Sequence, residues 1–82
     1  MLKKKVLLEK DLVRLAKECR KKAGIRRAEA ARDMGVSQTT IFNAEESPQQ
    51  ALTKLRMRMI AAYSRFKVVG PVFLLERQKP AP

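Results

Sequence analysis

The amino-acid sequence predicts a small, mainly α-helical domain of four or five helices that closes on a short C-terminal β-strand. Three observations predict it. Apolar residues recur at helical spacing over 12–23 and again over 52–66. Gly24 and Gly35 divide the chain between those stretches into short helices. From Phe66 onward the helical spacing gives way to β-branched and aromatic runs. With 82 residues there is length for one domain and only a thin core.

Residues 1–10 read as a basic N-terminal arm or short strand, Lys3-Lys4-Lys5 followed by Val6-Leu7-Leu8. A helical body then spans residues 11–65. Asp11 can cap the first helix. Leu12, Leu15, Ala16, Cys19 and Ala23 form its apolar face, and Gly24 ends it. A second helix runs from about Arg27 to Met34. Its inward residues Ala28, Ala30 and Ala31 are small, which lets another helix approach closely. Gly35 stops it and supplies a turn with positive φ. Ser37 is an N-cap, and Gln38 to Glu46 makes the third helix. Ile41 and Ala44 mark its inner side, and Gln38, Thr39 and Asn43 lie on the other.

Ser47-Pro48 carries the signature of a helix start, a capping hydroxyl followed by Pro at the first helical position. A fourth helix is therefore expected from about Pro48 to Ser64, buried through Leu52, Leu55, Met59, Ala62 and Phe66, with Met57, Ile60 and Tyr63 widening the apolar face. Lys54, Arg56, Arg58 and Arg65 fall off that stripe. Arg56 and Arg58 suit phosphate clamps and a solvated surface equally well. Residues 66–77 read as an extended dimerisation segment, with Pro71 at a strand start or on an edge. Residues 78–82 read as a flexible tail.

The composition narrows the function. Nineteen Lys and Arg stand against eight Asp and Glu, a formal net charge of +11, so the expected partner is a polyanion, most often nucleic acid. The absence of His and the single Cys exclude the usual zinc-ligand sets and the Ser-His-Asp or Cys-His catalytic groups. No metal, cofactor or enzymatic activity is expected. Cys19 has no partner for an internal disulfide, which points to the reducing cytoplasm. The apolar runs are too short for a bilayer, so no membrane association is expected, and Val6–Leu8 is too short for a signal peptide. Cys19 itself reads as a small core residue.

The charge is uneven. Residues 11–27 and 51–67 each carry +5, whereas residues 28–50 carry −3. Flanking cations would hold phosphates while the middle reads base edges with uncharged polar groups.

Gly24 to Glu46, G-I-R-R-A-E-A-A-R-D-M-G-V-S-Q-T-T-I-F-N-A-E-E, is helix, tight Gly turn and helix, with small residues where the helices cross. That is the build of a helix-turn-helix, in which a bracing helix presents a second helix to the major groove. The stretch resembles the phage repressor/Cro type of helix-turn-helix domain, the XRE family, over about residues 12–62. The resemblance implies that Ala31, Gly35, Val36 and Ile41 are structural. It places Gln38, Thr39 and Asn43 at base-reading positions and Ser37 at a cap that also meets phosphate. It pairs Arg20 with Glu45, tying the first helix to the third.

The chemistry of these residues fits those places. The amides of Gln38 and Asn43 present a donor and an acceptor side by side, which suits the N7 and N6 edge of adenine. The methyl of Thr39 can meet a thymine methyl. Thr40 is the neighbouring contact, to phosphate. Three departures stand out. Arg27, preceded by Arg26, occupies a position where the family tends to carry a phosphate-binding Gln; a guanidinium serves that role too. Phe42 stands where a polar residue is usual, and could pack on a sugar, a thymine methyl or a partner subunit. Ala44 replaces a larger aliphatic, leaving space for Met59 or Met34.

One recognition helix reads few base pairs, so a homodimer on a palindromic operator is expected, with half-sites about 34 Å apart. Its seam would use the fourth helix and Val72, Phe73, Leu74 and Leu75, either by pairing between copies or after pairing with Val6–Leu8 of the same chain. The reading is a sequence-specific transcriptional regulator acting as a repressor, cytoplasmic and nucleoid-associated, of bacterial or phage origin. A helix-turn-helix with a C-terminal strand also resembles antitoxins that bind a toxin protein and repress their own operons. A non-specific architectural protein is the third reading, and the uncharged reading face argues against it.

Overall fold

The computed structural model describes residues 6–69 and 73–78. The elements run β1 (Val6–Leu7), α1 (Glu9–Lys22), α2 (Arg27–Met34), α3 (Gln38–Glu46), α4 (Thr53–Tyr63), β2 (Phe66–Val69) and β3 (Phe73–Arg77). The mainly helical class is as expected, and α2 and α3 have the predicted bounds.

Two helix starts differ from expectation. α1 begins at Glu9, and Asp11 acts from its third position: the Asp11 carboxylate accepts the Leu8 N–H at 2.8 Å. Satisfying that donor from inside the helix moves the N-cap three residues upstream, from Asp11 to Leu8. α4 begins at Thr53, not Pro48. The Ser47 and Gln50 carbonyls, which a helix from Pro48 would pair internally, instead accept from Arg56 at 2.8 and 3.0 Å. The segment between folds into tight turns, with Gln50 N–H on Ser47 O and Leu52 N–H on Gln50 O.

The same arginine rotates the buried face of α4. Ala62, expected inside, is exposed, while Arg56 and Ile60 have no exposed surface. Arg56 is thus neither a phosphate clamp nor a solvated side chain. Four hydrogen bonds satisfy it in the interior: Nε to Ala44 O (2.9 Å), Nη1 to Gln50 O and to Glu9 Oε1 (2.7 Å), and Nη2 to Ser47 O. A buried charge is tolerated when it is paired and hydrogen-bonded in this way. Ala44, Met59 and Met34 are all buried in the core.

α1 packs chiefly on α4, and α2 on α3. Leu12, Ala16, Ala30, Ile41, Met59 and Ile60 make the centre of the core. Ala23, expected on the apolar face of α1, is exposed, whereas Val13 is buried. The strands form one antiparallel sheet in the order β1-β3-β2. Val6 and Leu7 pair with Leu74 and Phe73, and Phe66–Val69 pair with Arg77–Leu74. Of the two pairings open to the C-terminal strand, the chain uses its own: β1 pairs with Phe73 and Leu74, and β2 with Leu74 to Arg77. Val72 and the Lys3–Lys5 run lie outside the described residues. Gln78, assigned to a tail, is anchored: its amide donates to the carbonyls of Ala61, Ser64 and Phe66 at 2.7–3.1 Å.

Candidate nucleic-acid interface

The site is built from two glycine turns outward. Gly24 (φ +72°) closes α1, with Ile25 N–H reaching back to Arg20 O at 3.1 Å. Gly35 (φ +71°) closes α2, with Val36 N–H on Ala31 O at 3.0 Å. Both sit in the left-handed region that a side chain would strain. Ser37 then starts α3: its Oγ accepts the Thr40 N–H at 3.1 Å and lies 2.9 Å from Thr40 Oγ1. Ser37 and Thr40 are therefore occupied with each other as a cap.

α3 turns Ile41, Ala44 and Glu45 into the protein. Its opposite side carries Gln38 and Thr39, both exposed, and the half-buried Asn43. Among the described residues these three side chains make no hydrogen bond within the chain. Amides and hydroxyls held at a helix surface with their hydrogen-bonding capacity unused can pair with base edges.

The inner side of α3 is fixed by charge. Arg20 grips Glu45 with Nε and with Nη2 (3.1 Å), and its Nη1 holds the Ile25 carbonyl at 2.6 Å. The Glu45 side chain is fully buried. A two-pronged guanidinium–carboxylate pair fixes orientation as well as position. It couples α1, the turn after it and α3.

Arg27 joins the same network. Its Nε meets Glu45 Oε1 at 3.0 Å and its Nη2 meets Glu46 Oε2 at 3.1 Å. Its guanidinium lies 5.0 Å from the centroid of the Phe42 ring. Lys17 completes the group on Glu46. The Lys17 ammonium, with Arg27 nearby, holds the Glu46 carboxyl below its ordinary range. The arginine expected on phosphate is thus held in the free protein by two carboxylates and a ring. Arg26 differs: its side chain is 82% exposed, with one bond to Glu29 at 3.2 Å. The Arg26 backbone N–H on Glu29 lowers that carboxyl too. Arg58 is exposed and donates to Met34 O at 3.2 Å.

Sequence reasoning missed the Arg27–Glu45–Glu46 contacts and the interior role of Arg56. Only the neighbouring Lys17–Glu46 contact carried a signal: Lys17 and Arg20 lie three apart on α1, so they share a face, and the consecutive Glu45 and Glu46 supply the matching charges. Away from the site, burial and a 2.6 Å hydrogen bond to Asp33 push the Tyr63 hydroxyl pKa well up. Burial likewise raises that of Cys19, which borders a hollow of about 180 Å³ between α1, α4 and β2. No helix among the described residues is long and apolar enough to cross a membrane.

A family model described as helix-turn-helix matches residues 17–63, from the middle of α1 to the end of α4. No curated protein and no solved structure matches the chain.

Proposed function

Because the chain belongs to the Cro/C1-type (XRE) helix-turn-helix family and is a DNA-binding transcription regulator of that kind, we propose that it is a repressor that binds a palindromic operator as a homodimer. The observation that carries this reading is the exposed face of α3, where Gln38, Thr39 and Asn43 have unused hydrogen-bonding groups while Arg20 and Glu45 lock the opposite face. In the complex, Gln38 and Asn43 read adenine edges and Thr39 meets a thymine methyl. Arg26 reaches phosphate directly from its exposed position. The hydroxyls of Ser37 and Thr40 donate to phosphate oxygens, the one proton they share turning outward, and Arg27 keeps part of its hold on Glu45 while adding a phosphate. These contacts set the register, and the α3 contacts set the sequence.

β3 is paired within the chain on both sides, by β1 and by β2, so the proposed dimer seam rests on α4. Selection of bound duplexes from a random pool by the full-length chain tests the reading. The expected result is an inverted repeat with half-site centres about one helical turn apart. A pool that stays random would overturn it in favour of an architectural protein.

The antitoxin reading adds a protein partner to the same DNA chemistry. The observation in its favour is that, among the described residues, β2 is an edge strand of the sheet, the position at which a strand from another chain adds to a sheet. Purification of the chain from its own cells, with a second polypeptide retained in stoichiometric amount, would support it.

A further inference from the structure

Phe42 has no place in the base and phosphate contacts proposed so far. It is 46% exposed, and only Leu8 shares that condition among the large apolar side chains of the described residues. A single exposed apolar side chain is ordinary. What sets Phe42 apart is its position and its restraint. It lies one helical turn after Gln38 and immediately before Asn43, so it stands between two of the amides proposed to read bases. Residues 38, 42 and 46 form one row along α3. Arg27 crosses that row from α2, with its guanidinium 5.0 Å from the ring centroid. Glu45 and Glu46 hold that guanidinium through bonds of 3.0 and 3.1 Å. One face of the ring is therefore covered by a cation that is itself pinned, and the ring is ordered before any partner arrives.

A phenyl ring offers no hydrogen bond to a base edge, so it cannot read the amino, carbonyl or ring-nitrogen pattern of the major groove. The groove holds one apolar feature, the C5-methyl group of a pyrimidine. We propose that Phe42 is a specificity-determining residue whose ring packs against a pyrimidine C5-methyl in each half-site, with Arg27 as the positioning residue that holds the ring. This rests on α3 being the base-reading helix. The shared chemistry is the methyl group, which thymine carries always and 5-methylcytosine carries when the DNA is modified.

The test changes the DNA rather than the fold. Duplexes selected by the full-length chain are resynthesised with deoxyuridine replacing each consensus thymine in turn, which removes only the methyl. At one thymine per half-site, besides the one assigned to Thr39, the swap should weaken binding about fourfold, the loss expected for one unburied methyl. The same swap should leave the affinity of Phe42→Ala unchanged. Where the consensus holds cytosine next to the Asn43 contact, 5-methylcytosine should bind more tightly than cytosine, and only with Phe42 present. Arg27→Ala should reduce the methyl preference without abolishing it, because the ring remains but is less ordered.

A consensus with no thymine sensitive to deoxyuridine overturns the methyl contact alone. Equal sensitivity of the parent and of Phe42→Ala at every responsive thymine does the same, by leaving Thr39 as the methyl's partner throughout. Loss of self-association in Phe42→Ala, read by sedimentation, reassigns the ring to a contact between copies. Failure to select any consensus removes the base-reading helix beneath the inference as well.

Discussion

Replacing Arg56 by Met keeps the length and most of the volume of the side chain and removes every donor. Three backbone carbonyls, of Ala44, Ser47 and Gln50, then lose a bond of 2.8–3.0 Å, and Glu9 loses its 2.7 Å ion pair. A buried polar group left without its partner costs about 1–3 kcal/mol. The carbonyls of Ser47 and Gln50 lie in a surface turn and can take up water, so each counts at the lower end. Glu9 is one-third exposed and keeps the Thr53 hydroxyl at 2.7 Å, so its loss is also partial. The total is about 3–5 kcal/mol, the range found when one member of a buried pair is removed. A domain of this size has about 4–12 kcal/mol to lose. Arg56→Met should therefore melt at least about 12 °C lower, or be unfolded at room temperature. Urea unfolding followed by circular dichroism measures it, as a lower midpoint at unchanged slope. Arg56→Lys, which keeps the charge and some of the bonds, should fall between the two. A Met variant within about 1 kcal/mol of the parent would refute the claim that this guanidinium ties the end of α3 and the turn after it to α4.

Three further outcomes are expected. Tyr63 is the chain's single tyrosine and there is no tryptophan, so its phenolate absorbance is unambiguous. Burial first and Asp33 second raise its pKa in the folded state, so its contribution to stability is present below the ordinary tyrosine value and lost as pH rises through the native one. The native chain should form phenolate only at a pH above that of the urea-unfolded chain, and Asp33→Ala should recover part of the difference. Asn43→Ala should relax specificity at one position of each half-site, at a cost of about 1–3 kcal/mol against the selected sequence, measured by competition with single-base variants. Arg27→Ala should weaken binding to all sequences and flatten the salt dependence by about one unit, measured by titrations across a range of salt.

The helix-turn-helix itself was legible because its signals are local. Gly24 and Gly35 occupy left-handed turns, Ser37 caps the next helix, and small residues line the crossing, so α2 and α3 appear at their predicted bounds. α4 was not legible in the same way. Its spacing admits a stripe through 52, 55, 59 and 62, or one turned toward 55, 56, 59 and 60. A reading that sends charge outward chooses the first. The protein takes the second, because carbonyls from a turn six to nine residues upstream satisfy Arg56 inside. Those carbonyls are free for it only because the helix does not start at Pro48, so two errors share one cause. The site divides along the same line. The exposure of Gln38 and Thr39 follows from the period of α3 alone. Whether Arg27 is free for phosphate depends on Glu45 and Glu46, 18 and 19 residues away, and no local pattern encodes that distance. The net charge of +11 is accordingly a poor map of the DNA-facing surface. Arg20 and Arg56 hold the helices together, Arg27 divides its charge between two carboxylates and the proposed phosphate, and the rest of the proposed affinity falls to exposed cations such as Arg26.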